Sequence, residues 1–355
     1  MKFLHAADLH LDSPFSGLDD AAWLPDDEVR YASRRALDRL VAAALRERVD
    51  LVVFAGDVFD GSHVDVETAA FWMTQIDRLL AEGVPVVMVA GNHDAASTLF
   101  DQVHHPQGVT LLSSLRPEKR VFDRIGVAVV GQGLDEAAFA PDGGPDLAAG
   151  FPEADPGLFT IGLLHTSLGG REGYRNFAPT CAEVLRARGY RYWALGHVHR
   201  REVVSTDPWI VYPGNLQGRG VLETGPKGAT LVTVDDGKGR EIREVRALEF
   251  DTVRWSTCDV EIDDEAANPD DVLAAIEAAL SRAMADARGE GPFAARLVLA
   301  RANLVCPPRL RAECARRESG ITLEARAIAD RLGRIRVERV AIVDPPGPVD
   351  RDPTP

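Results

Sequence analysis

The chain has 355 residues, of which 45% are hydrophobic and 27% charged, a composition typical of a folded globular protein and not of a disordered, collagen-like or disulfide-rich chain. Its formal net charge of −15 argues against a protein that holds nucleic acid through a general basic coat. No apolar run reaches the ~18 residues that a membrane span needs, and the first residues turn polar too early for a signal peptide. We therefore expect a cytoplasmic protein that has no membrane partner.

The first 250 residues repeat a pattern of short apolar runs that end in loops rich in Gly, Asp, His or Asn. Two stretches between these runs, 29–48 and 64–82, have the apolar spacing of amphipathic helices. Later runs at 210–212, 229–234 and 242–245 lack helices between them, and we expect them to be antiparallel strands that close a second sheet. This layout predicts an α/β architecture. The earlier strand candidates are 2–6, 51–55, 84–90, 127–130, 159–164 and 192–195.

The pattern changes after residue 249. A strand at 256–262, a helix at 269–288 and a strand at 296–302 predict a separate small α+β unit. Residues 307–332 could belong to this unit or form a pair of helices that docks a partner. Residues 344–355 are too rich in Pro and Asp to form a core, which predicts a disordered tail. The predicted domains are 1–249, 255–343 and 344–355.

Arginine is concentrated near the C-terminal end, where residues 301–340 contain ten arginines and five acidic residues. This end could face phosphates, because arginine binds them in a bidentate manner. A genome composition that favours Ala and Arg explains the bias equally well. The four cysteines show no short paired spacing, so we expect neither a zinc ribbon nor a disulfide framework.

Five loops that follow predicted strands carry side chains of the metal-ligand type. Because the carboxyl ends of strands in an α/β sheet converge on one crevice, these side chains can meet there. Mixed carboxylate, imidazole and amide ligands suit Mn, Fe or Zn better than Ca. Each motif is weak by itself, but coincidence is a poor explanation of the whole ordered set. The motifs are Asp8-Leu9-His10, Gly56-Asp57, Gly91-Asn92-His93-Asp94, His165 and Gly196-His197-Val198-His199.

The other histidines have no such setting. We expect them to be surface side chains or side chains satisfied by local hydrogen bonds. They are His5, His63, His104 and His105.

The ordered series DxH, GD, GNHD, H and GHxH resembles that of the calcineurin-like metallophosphoesterases over about residues 1–249. The resemblance implies an α/β fold of four layers, in which a sandwich of β-sheets is flanked by helices. It also implies two divalent metal ions at the strand ends, with Mn²⁺ favoured and Mg²⁺, Fe or Zn as alternatives. The implied reaction is the hydrolysis of a phosphoester, because two such ions neutralise phosphate oxygens and acidify a water molecule.

The same resemblance implies a role for each motif residue. His93 would donate a proton to the leaving group. Asp94 would orient His93, cap a helix that starts near Ala95, or do both. Asp57 would bridge the two ions, since its carboxylate can offer one oxygen to each. The ligands implied for one ion are Asp8, His10 and His199, and those for the other are Asn92, His165 and His197.

Within this superfamily the chain is most similar to the SbcD-type and YhaO-type DNA repair exonucleases. The similarity is carried by FLHAADLHLDSPFSGL, GDVFD and YPGNLQGRGVLETGPKGATLV. It implies a DNA exonuclease or endonuclease of double-strand break repair, which works with an SMC-like ATPase, forms a homodimer and carries a small capping domain. Asp60 stands where archaeal and eukaryotic relatives commonly have a nuclease histidine, so that role cannot be carried over. His63 could replace that histidine only if its loop folds back.

Three hypotheses about function remain open. The first is the metal-dependent DNA nuclease, and the second is a small-molecule phosphodiesterase or phosphatase, which an acidic surface would suit. The third is a non-catalytic scaffold, against which the intact motifs argue. Some arginines near the motifs are candidates for phosphate contacts, with surface ion pairs as the alternative. They are Arg171, Arg175, Arg200, Arg201 and Arg219.

Overall fold

The chain divides by its internal contacts into two units in a computed structural model. The structure describes residues 1–18, 26–61, 65–97, 100, 106–135, 144–171, 173–235, 237, 239–263, 269–288 and 296–344. The first unit comprises Met1–Pro14, Asp26–Arg219 and Pro226–Thr252, and the second comprises Phe15–Pro25, Gly220–Gly225 and Val253–Pro355. His63, His104, His105 and the predicted tail beyond residue 344 lie outside the described residues.

The first unit contains most of the regular structure. Its strands are β1 (Lys2–Ala6), β2 (Leu51–Phe54), β3 (Val86–Met88), β4 (Val109–Leu111), β5 (Glu118–Phe122), β6 (Val127–Gln132), β7 (Phe159–His165), β8 (Tyr192–Gly196), β9 (Glu202–Thr206), β10 (Trp209–Tyr212), β11 (Gly228–Val234) and β12 (Ile242–Glu249). Its helices are α1 (Asp26–Arg30), α2 (Ala32–Glu47), α3 (Val66–Ala81), α4 (Asn92–Ala95) and α5 (Ala182–Ala187), with a 3-10 helix at Leu147–Gly150.

These strands form two six-stranded sheets. The first has the order β12-β11-β1-β2-β3-β4, in which β1 to β4 are parallel. The second has the order β5-β6-β7-β8-β10-β9, in which β6, β7, β8 and β10 are parallel. Apolar side chains of both sheets share one buried core, which includes Phe3, Val53, Ile161 and Ala194. The sheets are therefore packed face to face as a sandwich.

Helices cover the outer faces of the sandwich. On the first sheet, Phe54 points away from the shared core and its ring lies 5.2 Å from that of Trp72 in α3. On the second sheet, Trp193 and Leu195 pack with Leu185 of α5. Strands buried on both faces are apolar at nearly every position, which explains why their runs are continuous in the sequence. The α/β sandwich of four layers expected from the sequence is thus the observed architecture.

The later strands differ from the expectation that they close a second sheet as antiparallel strands. β10 is parallel to β8, because the chain runs back through β9 between them and then reverses again. β11 and β12 are antiparallel as expected, but they extend the first sheet beside β1. The predicted helix at 29–48 is divided at Tyr31 into α1 and α2.

The second unit is built around a three-stranded sheet. Its elements are β13 (Val253–Glu261), α6 (Pro269–Asp286), β14 (Leu297–Val305), α7 (Pro308–Arg316), α8 (Glu318–Leu332) and β15 (Ile335–Val343). All three strands are parallel, because helices join each strand to the next. The unit is therefore α/β, whereas the sequence suggested α+β. Ile321, Ala325 and Ile328 of α8 are buried in its core, so α8 belongs to this unit. No helix among the described residues is both long and apolar enough to cross a membrane.

Gly162 of β7 provides a test of the packing on the outer face of the second sheet. A Cβ atom at this position would overlap the ring of Trp193, which stacks on Phe151 and Tyr190. We expect Gly162→Ala to lower the free energy of unfolding by about 1–3 kcal/mol, because overpacking forces these rings to move. Urea denaturation measures the change. Gly150→Ala is the control, since its Cβ would meet only Pro117 at 3.7 Å, and equal losses in both variants would contradict the packing.

Candidate metal centre

The motif side chains meet at one end of the sandwich. The loops after β1, β2 and β3 leave neighbouring parallel strands of the first sheet, and those after β7 and β8 leave neighbouring parallel strands of the second. Parallel strands bring their carboxyl ends to the same edge, so side chains far apart in the sequence become neighbours. The backbone N–H of His197, for example, donates to both carboxylate oxygens of Asp8, 189 positions away.

The backbone of these loops is strained at the ligand positions. Asp8, His10, Asp57 and His197 have φ angles of 53°, 43°, 53° and 101°, in the region that favours glycine. Hydrogen bonds hold two of them in place, from Asp8 N to Gly56 O at 3.0 Å and from His10 N to Asp57 O at 3.1 Å. Such strain persists only where the surroundings enforce it, and it is concentrated at functional sites.

Glycine is a steric requirement at two of the motif positions. A Cβ atom on Gly91 would overlap the carboxylate of Asp57, and one on Gly196 would overlap the carbonyl oxygen of Ala55. The motif glycines therefore allow the strand ends to approach one another closely.

The first donor group consists of Asp8, His10 and His199. One ligand atom from each lies within 4.8 Å of the others. The Nε2 atoms of the two histidines are 3.2 Å apart, and Nε2 of His199 is 3.8 Å from Oδ1 of Asp8. Nδ1 of His10 is buried and has no hydrogen-bond partner. Two imidazole nitrogens at this distance cannot both carry a hydrogen, so the arrangement suits a shared cation.

The second donor group consists of Asp8, Asp57 and His165, with Asn92 beside it. Nδ1 of His165 lies 2.8 Å from the carbonyl oxygen of Ala55, and it must donate because a carbonyl only accepts. Its Nε2 then faces Oδ1 of Asn92 at 3.0 Å and Oδ2 of Asp57 at 3.4 Å. A backbone carbonyl that orients a histidine in this way is typical of metal ligands.

Asp57 connects the two donor groups. Its Oδ2 lies 3.8 Å from Nε2 of His10 as well as 3.4 Å from Nε2 of His165. Its Oδ1 accepts the backbone N–H of His93 at 2.8 Å. One buried carboxylate oxygen thus faces a histidine of each group, and this is the placement expected of a bridging ligand.

His197 is placed differently from the other candidate ligands. Its ring centroid is 5.3 Å from that of His165, but its Nε2 donates to the carbonyl oxygen of Arg175 at 2.8 Å. A cation would therefore have to be held by Nδ1. Tyr174 lies against both this ring and that of His199, and its hydroxyl accepts the backbone N–H of His199 at 3.0 Å. No motif in the sequence signals this role of Tyr174.

The pKa values at the centre are shifted by burial and by neighbouring charges. Burial raises the pKa of Asp8 to about 6 and lowers that of His197 to about 3. Burial also opposes the charge on Asp57, but the neighbouring histidines, chiefly His165, hold its pKa below the usual range. The pKa of His165 is raised to about 9 because the carboxylates of Asp57 and Asp8 outweigh its burial. The raised pKa of His165 thus favours a proton between its imidazole and the Asp57 carboxylate, where a cation can bind instead.

The imidazole of His93 is paired with Asp60, whereas the carboxylate of Asp94 contacts the backbone. Nδ1 of His93 lies 2.5 Å from Oδ1 of Asp60, and this bond raises the pKa of the imidazole. The buried Asp94 carboxylate instead accepts backbone N–H groups from Gly91, Val58 and Phe59 at 3.1, 3.3 and 3.0 Å. Asp94 thus holds the two motif loops together. The available signal for the role of Asp60 is its position three residues after Asp57 in the same loop.

The five candidate phosphate-binding arginines differ in their contacts. Arg171 pairs with Glu202, and Arg201 donates to Thr230. Arg175 and Arg200 are exposed, and Arg175 stacks over the ring of Phe177. Arg219 donates to Asp60.

His5 has the local role expected from the sequence. It is fully buried, with Nδ1 3.0 Å from the hydroxyl of Tyr192 and Nε2 3.2 Å from the carbonyl oxygen of Leu195. Burial lowers its pKa to about 3. We therefore assign it to the core of the sandwich.

Two family models match the chain. Residues 1–201 match the model described as calcineurin-like phosphoesterase. Residues 255–343 match the model of the middle domain of the metallophosphoesterase YhaO. The second match extends from within β13 to the end of β15.

Curated relatives include an uncharacterized metallophosphoesterase YhaO of Bacillus subtilis (strain 168), which is 35% identical over 244 residues, 67% of this chain and 58% of that protein. Two proteins described as DNA double-strand break repair protein Mre11 also match. The one from Methanopyrus kandleri is 27% identical over 286 residues, 71% of this chain and 54% of that protein. The one from Aeropyrum pernix is 26% identical over 259 residues, 69% of this chain and 60% of that protein. The chain thus spans 54 to 60% of the length of these relatives.

Solved structures are also similar to the chain. The protein TT1561 of Thermus thermophilus aligns with a TM-score of 0.38 and 15% identity, over 69% of this chain and 98% of that chain. A dimetal phosphatase from Danio rerio aligns with a TM-score of 0.39 and 14% identity, over 66% of this chain and 93% of that chain.

The contacts of Asp94 predict a role in stability. We expect Asp94→Ala to lower the free energy of unfolding by about 3 kcal/mol, because it leaves buried backbone N–H groups without an acceptor. Asp94→Asn keeps one oxygen and should lose less. Chemical denaturation of both variants without added metal measures the difference. An Asp94→Ala protein of wild-type stability that loses only catalytic activity would instead support the role of orienting His93.

Proposed function

Because this chain belongs to the calcineurin-like phosphoesterase family, we propose that it is a metal-dependent phosphodiesterase whose substrate is DNA. The observation that carries the proposal is the pair of donor groups joined by Asp57 at the strand ends. The donor set contains carboxylate, imidazole and amide groups but no thiolate, which fits a catalytic centre for divalent cations, with Mn²⁺ favoured and Mg²⁺, Fe or Zn as alternatives.

In this proposal two ions bind at the two donor groups, with the ligand sets that the motif series implies. Asp57 is shared between them, which its oxygen facing both His10 and His165 supports. Two divalent ions bound there would neutralise the charge of the phosphoryl oxygens and lower the pKa of an attacking water molecule. The ligands proposed for one ion are Asp8, His10 and His199, and those for the other are Asn92, His165 and Nδ1 of His197.

The side chains next to the ligands supply proton transfer and positioning. Nδ1 of His93 is bonded to Asp60, so Nε2 is the nitrogen that would protonate the leaving oxygen. The bond to Asp60 sets the orientation of the imidazole and raises its pKa, which favours the protonated ring that a proton donor needs. The bond from His93 N to Asp57 ties this proton donor to the bridging carboxylate.

DNA is favoured as the substrate by the relatives and by the charge distribution. Two relatives are described as DNA double-strand break repair proteins. The arginine-rich residues 301–340 lie in the second unit and offer charge for phosphate contacts, although the whole chain is acidic. The proposal includes exonuclease or endonuclease action in the cytoplasm, an SMC-like ATPase as partner and a homodimeric assembly.

A second candidate function is a phosphodiesterase or phosphatase for nucleotides or other small molecules. The net charge of −15 favours it, since a large polyanion is repelled by an acidic surface unless a local basic patch receives it. The two candidates share the same metal chemistry and differ only in the substrate.

Asp57 is the residue on which both metal positions depend. We expect wild-type protein to bind two Mn²⁺ ions and to degrade end-labelled linear DNA in an EDTA-sensitive manner, because two ions polarise the phosphate. Asp57→Asn should lose metal and cutting together, whereas Asp38→Asn, which changes an exposed carboxylate on α2, should retain both. Elemental analysis of the protein and gel analysis of the DNA measure the two effects.

The same experiment separates the two candidate functions. DNA that stays intact while an aryl phosphodiester is hydrolysed in an Asp57-dependent way would support the small-molecule function. Hydrolysis by Asp57→Asn at the wild-type rate would contradict the shared metal chemistry.

His93 and Asp60 should affect a poor leaving group far more than a good one. We expect His93→Gln to lower kcat for a thymidine dinucleotide by about 10²–10⁴-fold, because its alkoxide must be protonated as it leaves. The loss should be much smaller for a 4-nitrophenyl ester of thymidine phosphate, whose phenolate leaves without a proton. Asp60→Asn should show the same selectivity with a smaller loss. Steady-state kinetics on both substrates give the comparison, and equal losses would assign His93 to binding instead of proton transfer.

A further inference from the structure

We propose that Tyr174 is a positioning residue of the candidate metal centre, whose hydroxyl fixes His199 and whose ring orients His197. We call the ion proposed for His199 the first ion and the ion proposed for His197 the second ion. Loss of the hydroxyl should then weaken the first ion, and loss of the ring should weaken both. This inference deepens the proposed function and rests on its two-ion centre.

The backbone of His199 is held from both sides. Its N–H donates to the hydroxyl of Tyr174 at 3.0 Å. Its carbonyl oxygen accepts the backbone N–H of Asn215 at 3.2 Å and the ammonium group of Lys227 at 2.9 Å. His199 lies between β8 and β9, outside regular structure, and its partners come from three separate segments. Its position therefore depends on these tertiary contacts, of which the Tyr174 hydroxyl is the one on the N–H side.

Residues 174–177 surround the imidazole of His197. The ring centroids of Tyr174 and Phe177 lie 5.5 and 5.4 Å from that of the imidazole, at interplanar angles of 69° and 84°. The carbonyl oxygen of Arg175 accepts a hydrogen bond from Nε2 of the same imidazole at 2.8 Å. The two rings and the carbonyl set the plane of the imidazole and leave Nδ1 as the nitrogen for a cation.

The ring of Tyr174 also lies against His199. The two ring centroids are 5.8 Å apart, with an interplanar angle of 75°. Nε2 of His199 faces Nε2 of His10 at 3.2 Å and Oδ1 of Asp8 at 3.8 Å, so this imidazole belongs to the first donor group. One aromatic ring is thus in contact with a candidate ligand of each ion.

Tyr174 is held in place by contacts outside the donor groups. Its backbone N–H donates to the carbonyl oxygen of Arg171 at 3.0 Å, and the guanidinium of Arg171 makes two bonds of 3.1 Å to the carboxylate of Glu202 in β9. Phe177 is buried, and its backbone N–H and carbonyl oxygen both bond to Ser167, at 3.1 and 3.0 Å. These anchors need no bound cation. The tyrosine can therefore hold the histidines in position before an ion binds, which strengthens binding because less freedom is lost.

The test is Mn²⁺ binding by the metal-free full chain, measured by titration calorimetry. Electron paramagnetic resonance of the loaded protein distinguishes a coupled pair of ions from isolated ones. We expect the wild type to bind two ions and to give the coupled signal. Tyr174→Phe should weaken one ion by about tenfold, because groups that orient metal ligands typically contribute about 10- to 100-fold to metal affinity. Tyr174→Leu, which also removes the ring, should weaken both ions by at least about tenfold.

Ligand variants identify the ion that the hydroxyl affects. His199→Ala removes a candidate ligand of the first ion, and Asn92→Ala removes one of the second. In the Asn92→Ala protein, adding Tyr174→Phe should weaken the remaining ion by about tenfold. In the His199→Ala protein, adding Tyr174→Phe should change the affinity of the remaining ion by less than about twofold, because the hydroxyl acts through the missing imidazole.

Tyr190→Phe is the matched control. It removes a hydroxyl that donates to the backbone carbonyl oxygen of Pro152 at 2.6 Å, on the outer face of the second sheet. We expect this variant to bind both ions as the wild type does. Thermal unfolding of each metal-free variant shows that the protein is folded and separates a loss of stability from a loss of metal affinity.

Several outcomes would overturn the inference. They are a Tyr174→Phe variant with wild-type affinity for both ions, an equal loss in the His199→Ala and Asn92→Ala proteins, and a similar loss in Tyr190→Phe. A wild type that binds no Mn²⁺ would contradict the metal centre as well. Failure of the proposed function would appear separately, as a protein that binds two ions but hydrolyses neither DNA nor aryl diesters.

Discussion

The buried carboxylate of Asp57 is the constraint around which the candidate metal centre is arranged. Its oxygens face His10 and His165 from the two sheets and accept the backbone N–H of His93, and its own backbone is in the left-handed region. Gly91 must lack a side chain because Asp57 occupies that space. A buried carboxylate is stable only when neighbouring groups compensate its charge. The histidines around Asp57 and the strained loops that carry them therefore depend on one another.

Asp60 extends this arrangement to the surface. It joins His93, Ser13 and Arg219 through its two oxygens. The buried Asp94 has a different task, since its bonds to backbone N–H groups keep the loops of Asp57 and His93 together.

Local patterns predicted much of the fold but not its long-range pairing. Strands such as β2 and β3 are continuous apolar runs because both of their faces are buried, and this signal is present in the sequence itself. The parallel pairing of β10 with β8 and the position of β11 beside β1 depend on which apolar surfaces meet in the core. The same holds for α8, whose buried face is recognisable only against the sheet that it covers.

By itself the sequence determined the α/β class, the family resemblance and the set of candidate ligands, because the order of short motifs after apolar strands is a local property. Tertiary structure alone decided that His93 pairs with Asp60, that only Nδ1 of His197 could hold a cation, and that Arg219 shares Asp60 with His93. Arg219 and Asp60 are 159 residues apart in the chain. Contacts between such distant side chains are set by how the strand ends converge, which no periodicity or spacing encodes.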